Sequence, residues 1–313
     1  MTSKMKVLGV LDKYTGYNFH RDSSHLLLLT LYDRNHTIYY TDPTSLFSQK
    51  GEPCAMVSEV KVTRGTPYFH FKPPFPKPLA EMDIILMRKD PPVNTSYYYA
   101  THLLSLVEDK TWVINRPSTL RDWNEKLSIL FFPEWIPKTL VTGDWHRIEA
   151  FQKEREGAVV VKELDSYAGK GIHLCPFSGD HSKLIHQLTR GGDLPVMVQE
   201  YLPVERGEKR VFFIDGKTFG AIIRHPAAGG FLTSPDHGGT YAATQLTERE
   251  KKICSSLEPF FLKKGVFFAG IDLIGEYLTE INVTSPGLLW EWNEVDHQKY
   301  EEKIVDCMEK KLT

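Results

Sequence analysis

The sequence has little of what marks the more specialised classes of protein. Its four cysteines, Cys54, Cys175, Cys254 and Cys307, are scattered and form no CxxC pair. That argues against a disulfide framework or a cysteine zinc site and fits buried thiols in a reducing compartment. No apolar run is long enough to span a membrane, and the opening "MTSKMKVLGVLDKYTG" is too short in apolar residues for a signal peptide. A cytoplasmic location is expected. Charge of one sign is missing too. With 38 basic and 40 acidic residues the formal net charge is −2, which gives no electrostatic reason to expect nucleic acid or a membrane as partner. Internal repeats and low-complexity segments do not occur. Several motifs are also absent. His20-Arg21-Asp22 opens like a kinase catalytic loop, but Leu27 stands where the asparagine should follow. "AGKG" lacks the spacing and hydroxyl of a Walker A loop, no GxGxxG occurs, and the histidines show no metal spacing.

What is present is an ordinary soluble composition, 41% hydrophobic and 25% charged, in a chain of 313 residues, enough for two or three domains. "MKVLGVLD" (5–12), a helix from Ser23 to about Asn35 and "HTIYYT" (36–41) read as strand, helix, strand, the unit of an α/β layer. "AMVSEVKVT" and "PYFHF" read as an antiparallel pair, 73–78 as a proline-rich surface excursion, and "MDIILMRKDPP" and "TWVINRP" as buried strands ending in charge. Ligands bind at that end of strands in open α/β sheets. A second block opens near Asn124, with a helix over 127–132, strands "TLVT", "AVVVKELD", "IHLCPF" and "VMVQEYL", and helices over 144–156 and 180–190. A third has strands 209–215 and 218–224, a long loop 225–243 and a helix opened by the capping box Thr247/Glu250 and closed by Gly265. It ends in a hairpin and a charged helix over 294–312. The spacing gives domains of 1–123, 124–202 and 203–313.

The hairpin "GIDLIGEYLTEINVTSPG" (270–287) is unusual in placing Asp272, Glu280 and Asn282 among apolar residues. A three-residue loop (Gly275, Glu276, Tyr277) pairs Ile274 with Leu278, sets Asp272 opposite Glu280 and points Asn282 to the same side. A two-residue loop turns Asp272 to the other face. On the first register three oxygen donors converge, a set that suits magnesium with water and phosphate as further ligands. The alternative is a solvated hairpin, in which facing carboxylates repel.

Cations are spread along the second block. Lys126 starts a helix in "NEKL", and Lys162 lies inside the apolar strand "VVVKELD", where its charge needs an anion unless the side chain reaches solvent at the strand end. "LDSYAGKGI" offers Gly169 and Gly171 in a turn that can lay backbone N–H groups over phosphates. "QEYLP" gives a strand edge able to hydrogen-bond a base, and Glu208 follows Leu202 at a distance suited to ribose hydroxyls.

The order of these elements resembles an ATP-grasp ligase. "RDSS", "ILMRKDPP", "INRPSTLRDWNEKL", "QEYLP", "GEKRVFFIDGK" and "GIDLIGEYLTEINVTSP" resemble, in order and over nearly the whole chain, the bacterial glutathione synthetase family. The resemblance implies an α/β protein in which an ATP-grasp fold follows an N-terminal open α/β (pre-ATP-grasp) domain. It implies ATP between two sheets, with Lys126, Lys162, Gly169 and Gly171 at the phosphates, Glu200, Tyr201 and Leu202 at the adenine and Glu208 at the ribose. Asp272, Glu280 and Asn282 would hold two magnesium ions. Arg210 and Arg224 would face the transferred phosphoryl and acyl groups, and Ser23, Arg88, Asp90, Ser285 and Trp290 would belong to the substrate cleft. The implied reaction makes an amide through an acyl phosphate from small carboxylate and amine substrates, in a dimer or tetramer, with the glycine turn closing over the intermediate.

The sequence also departs from that family. Leu232, Thr233 and Ser234 stand where it carries Arg-Gly-Asn before a Gly-Gly pair, and Trp290 where it carries an arginine. The first expectation is ATP-dependent ligation of γ-glutamylcysteine to glycine, as the resemblance implies. Loss of two cations near the reacting groups is expected to make that a poor pair and gives the alternative, a related ligase with another acid–amine pair. The competing expectation is a nucleotide-binding protein with little catalysis; the complete set of Asp272, Glu280, Asn282 and the lysines favours the ligase.

Overall fold

In the computed structural model, which describes residues 4–167, 169–234 and 237–312, the chain forms three sheets. The first region runs from β1 (Lys6–Val10) through α1 (Ser23–Asp33), β2 (Thr37–Thr41), β3 (Leu46–Gln49), β4 (Glu52–Val62), β5 (Phe69–Phe71), β6 (Phe75–Pro78), β7 (Ile84–Met87), α2 (Thr95–Ser105) and β8 (Trp112–Ile114) to α3 (Pro117–Asp122). Its sheet has the order β3-β4-β2-β1-β7-β8, with β5 and β6 paired to β4. Strand β1 is parallel to β2 and β7, and β7 to β8. Both faces of β1 are covered, with Val7, Leu8 and Val10 fully buried, which is why it reads as an unbroken apolar run. Helix α1 starts where the Asp22 carboxylate accepts the His25 N–H at 2.6 Å. The proline-rich run is no free excursion: β6 pairs antiparallel with β4 as an edge strand, where a missing N–H is tolerated. Helix α2, capped by Asn94, was not legible in the tyrosine-rich segment after "RKDPP".

The second region comprises β9 (Thr139–Thr142), α4 (Trp145–Arg155), β10 (Val159–Glu163), β11 (Ile172–Cys175), α5 (Ser182–Leu188) and β12 (Val196–Glu200), an antiparallel sheet of order β11-β10-β12-β9. The third has β13 (Glu208–Ile214), β14 (Lys217–His225), β15 (Thr240–Ala243), α6 (Glu248–Lys264), β16 (Phe268–Ile274), β17 (Tyr277–Asn282), α7 (Leu289–Asp296) and α8 (Tyr300–Leu312), with sheet order β15-β14-β13-β16-β17. The reciprocal capping box at Thr247 and Glu250 opens α6, and Gly265 at φ 67° closes it. The expected single C-terminal helix is two, α7 and α8, separated at His297, which adopts φ 53°. The long loop contains β15, and its Pro235-Asp236, like Ala168 of the glycine turn, lies outside the described residues. Residues 125–135 pair with the third sheet: Ile281 N–H donates to Glu125 O at 2.9 Å and Leu278 N–H to Trp135 O at 2.8 Å. Among the described residues no helix is long and apolar enough to cross a membrane.

Asn115, just past β8 and 3% exposed, ties the first sheet to the third. Its Nδ2 donates to Phe268 O and Val283 O, both at 2.7 Å, and its Oδ1 accepts Phe267 N–H at 2.8 Å and Phe268 N–H at 2.9 Å. Asn115→Ala leaves several buried backbone groups without this partner and is expected to cost at least about 3 kcal/mol, since each unsatisfied group costs roughly 1–3 kcal/mol. Urea unfolding measures it; a loss under about 1 kcal/mol would show that the two sheets are held by other contacts.

Candidate active site

The β16–β17 hairpin turns in two residues, Gly275 and Glu276, and Ile274 pairs with Tyr277. That loop alone would send Asp272 to the wrong face, but a bulge intervenes: Leu273 pairs with Leu278 and Asp272 with Glu280, so Thr279 is the extra residue. Its hydroxyl donates to Asp272 O at 3.1 Å. The expected loop was wrong and the expected juxtaposition right, because the bulge restores the register. Asp272 is 1% exposed. Arg210 grips it with a two-pronged pair, Nε–Oδ1 at 2.5 Å and Nη2–Oδ2 at 2.9 Å, and Arg224 Nη2 lies 3.2 Å from Oδ1. Burial alone would raise the Asp272 carboxyl; the Arg210 and Arg224 charges outweigh it and hold the group well below the usual range. Asn282 Nδ2 sits 3.3 Å from Asp272 Oδ2, and Glu280 Oε1 lies 3.3 Å from Lys126 Nζ. Among the described residues no three His, Cys, Asp or Glu side chains form a metal cluster. The donors here are two carboxylates and an amide, hard oxygens few enough to leave room for water and phosphate, and that set fits magnesium.

Facing them is a cavity between the second and third sheets, lined by Lys162, Glu200, Leu202, Glu208, Arg210 and Arg224 together with Asp272, Glu280 and Asn282. Val160, Ile172, Val204 and Ile274 supply its apolar wall. No carboxylate of the described residues reaches ion-pair distance of Lys162. Burial pushes its ammonium below the usual lysine range, against the pull of Glu280 and Glu208. Lys126, 2% exposed, donates from Nζ to Ser166 O at 2.5 Å and stands beside the cavity wall without lining it. Gly169 lines the cavity at φ 77°. Gly171 sits at φ 63°, a conformation strained for other residues, and a Cβ there would also fall 2.8 Å from Ser166 Cβ. Tyr201 is not in the lining; its N–H donates to Ala158 O at 3.0 Å, which fixes the chain between Glu200 and Leu202. Glu208 receives Arg224 Nη2 at 2.9 Å and the Thr233 hydroxyl. Leu232, Thr233 and Ser234 all line the cavity, and Arg224 Nε is buried with no partner among the described residues.

A second cavity adjoins the first, with Glu125, Tyr167, Arg210 and Asn282 common to both. Ser23, Arg88, Asp90 and Ser285 line it, whereas Trp290 lines neither. The Trp290 indole N–H instead donates to Asp22 O at 3.3 Å, so its effect on the cleft passes through the Asp22 backbone. Glu125 was missed in the sequence because it sits unremarked beside Lys126. Its Oε1 accepts the Thr284 hydroxyl at 2.6 Å. Burial, with the Glu280 charge adding, pushes its carboxyl up to about 7.

Glu125 therefore keeps its proton in the folded state where the unfolded chain, at an ordinary 4.5, has lost it, and folding becomes less favourable as pH rises between those values. Glu125→Gln keeps the acceptor for Thr284. It is expected to stabilise the ligand-free protein by on the order of 1–2 kcal/mol at pH 8, with the gain vanishing below pH about 4.5. Urea unfolding at both pH values reads the difference; an equal gain at both would assign it to packing.

Comparison with known proteins identifies the family. Residues 5–121 match the family model for the prokaryotic glutathione synthetase N-terminal domain, and 125–297 that for its ATP-grasp domain. The glutathione synthetase of Parasynechococcus marenigrum is 40% identical over 285 residues, covering 90% of this chain and 92% of that protein. That of Coxiella burnetii is 37% identical over 287 residues, 90% and 89% of the two chains. Among solved structures, D-cycloserine synthetase DcsG superposes with TM-score 0.68 at 14% identity over 98% of this chain and all of its own. The ATP-grasp ligase PsnB, complexed with a phosphomimetic precursor variant, Mg and ADP, gives 0.67 at 14% over the whole of both chains; both likenesses speak to the fold. With both domain models matched and close relatives spanning nine-tenths of its length, the chain belongs to the prokaryotic glutathione synthetase family and is an ATP-grasp peptide or amide ligase.

Proposed function

We propose that the protein condenses γ-glutamylcysteine with glycine, converting ATP to ADP and phosphate and producing glutathione. The γ-phosphoryl group passes to the substrate carboxylate, giving an acyl phosphate; the amine attacks its carbonyl carbon and phosphate leaves. Lys126, Lys162, Gly169 and Gly171 hold the phosphates. Glu200, Tyr201 and Leu202 take the adenine and Glu208 the ribose. Asp272, Glu280 and Asn282 would hold two magnesium ions, which supply charge neutralisation at the phosphates. Arg210 and Arg224 face the reacting groups, and the turn at 166–171 excludes water. Ser23, Arg88, Asp90 and Ser285 bind the carboxylate substrate. The enzyme works in the cytoplasm as a dimer or tetramer, with domains 1–123, 124–202 and 203–313.

The observation that carries this reading is Lys162: a half-buried ammonium lining the cavity with no carboxylate of the described residues at ion-pair distance, across from three oxygen donors. An anion bridged to those donors by metal satisfies both sides. Leu232 in the cavity wall favours a second reading, a related ligase using a less charged acid or amine. ADP release with γ-glutamylcysteine plus glycine, set against other acid–amine pairs with mass detection of product, decides between them. Higher kcat/KM with another pair overturns the glutathione assignment.

Two variants test the machinery. Glu280→Ala is expected to lower turnover by at least about 10³-fold, since metal charge neutralisation is worth several kcal/mol; near-normal turnover would remove Glu280 from the metal site. Lys162→Met is expected to weaken ATP binding by about 10- to 100-fold, the worth of a charge-assisted hydrogen bond. The same variant should raise the melting temperature of the ligand-free protein, because a half-buried charge with no carboxylate in contact is gone. Unchanged ATP affinity in calorimetry would make Lys162 a structural residue.

A further inference from the structure

The segment that departs from the family pattern is also where two loops meet. The hydroxyls of Thr233 and Ser234 serve different partners: Thr233 donates to Glu208, while Ser234 Oγ lies 2.6 Å from His237 Nδ1. Ser234 O accepts His237 N–H at 3.0 Å and Gly239 N–H at 3.2 Å, which turns the backbone back and holds the imidazole beside the serine. A Cβ on Gly169 would fall 3.3 Å from His237 Cε1 and 3.5 Å from Ser234 Oγ, so the pair sits against the glycine turn of the second region. Gly169 and Ser234 both line the cavity, and so does Leu232, which stands where the family carries arginine. With Glu208 assigned to the ribose and Gly169 to the phosphates, Ser234 lies on the phosphate side of Thr233.

Which ring nitrogen carries the proton decides what this pair can do. With Nδ1 bare, the serine hydroxyl donates to the ring and its only hydrogen is used in stapling the loop. With Nδ1 protonated, the ring donates to Oγ and the hydroxyl hydrogen is released toward an acceptor in the cavity. A phosphate oxygen beside the serine selects the second arrangement, because it takes that hydrogen and favours a charged imidazole nearby. A nucleophilic serine is the other chemistry such a pair suggests. It needs a third group to orient the ring, and among the described residues no carboxylate pairs with His237.

We propose that Ser234 is a phosphate-binding residue and His237 its positioning residue, the imidazolium supplying through Oγ the positive charge that Leu232 does not bring. The inference rests on the ligase reading and deepens it. The departure from Arg-Gly-Asn exchanges one phosphate contact for another and does not empty the site.

The test compares ATP with adenosine, which has the base and ribose but no phosphate, by calorimetry on the full-length protein. Ser234→Ala and His237→Ala are each expected to weaken ATP binding about 10-fold and to leave adenosine within about twofold, one charge-assisted hydrogen bond being lost at the phosphates. The double variant should bind ATP within about threefold of either single one, because the ring acts through the hydroxyl. Leu232→Arg should raise ATP affinity at least about fivefold more in His237→Ala than in the wild type, since it returns the charge by another route. A mere loop staple would weaken ATP and adenosine together, through Thr233 and Glu208, and that result overturns the proposal. So do unchanged ATP affinity in either single variant, additive losses in the double variant, or a gain from Leu232→Arg no larger in His237→Ala than in the wild type. ADP release by the wild type with γ-glutamylcysteine and glycine, or with another acid–amine pair, tests the ligase reading apart from these variants. If the variants lose ATP selectively and the wild type releases no ADP with any pair, the phosphate contact stands and the ligase reading falls.

Discussion

The pair between Asp272 and Arg210 is the contact on which the rest of the site depends. A carboxylate 1% exposed cannot keep its charge unaided, and two guanidinium groups, on β13 and β14, supply the counter-charge. Adjacent strands of one sheet can deliver those side chains only if the register is right, and Arg210 sits directly opposite Asp272 across β13 and β16. The bulge at Thr279 then brings Glu280 and Asn282 to the same side. Ion pair, bulge and donor set are one construction: shift any strand by a residue and the charges face the apolar core.

Around that centre the charges form a chain. Thr233 reaches Glu208, Glu208 and Asp272 share Arg224, Asp272 holds Arg210, and Glu280 holds Lys126. In the ligand-free protein these groups neutralise one another, whereas Lys162 lines the cavity with no carboxylate of the described residues at ion-pair distance. The proposed nucleotide and metal would exchange partners along this chain more than fill a vacant hole, so effects of substitutions within it should be strongly non-additive.

Most of the fold was legible because local signals agreed with the tertiary outcome. The strand runs, the Thr247/Glu250 box and Gly265 each specify their element with short-range chemistry. What was missed depends on distant contacts. The edge pairing of β6 is set by β4, and the break between α7 and α8 comes at a left-handed His297 that no glycine or proline announces. The hairpin was read with the right pairing of Asp272 and Glu280 but the wrong loop, because a bulge leaves no mark in periodicity. Lys162, Asp272 and Glu280 could be named from their oddity among apolar neighbours, and Glu208 from its spacing after Leu202. Glu125 could not, since an acid beside a lysine is ordinary until the fold buries it. Trp290 stood out against the family pattern, yet it sits behind the Asp22 backbone and outside both cavities.

The Thr233 hydroxyl on Glu208 has a thermodynamic corollary. In the proposed complex the ribose offers Glu208 a hydroxyl of the same kind as the one already there, so the swap is close to isoenthalpic and contributes little net affinity. Recognition of the nucleotide then falls to its two ends, the apolar wall at the base and the cations at the phosphates. On that proposal the sugar would displace the Thr233 hydroxyl from Glu208, and the apparent dissociation constant would carry the fraction of molecules in which that one contact is already open.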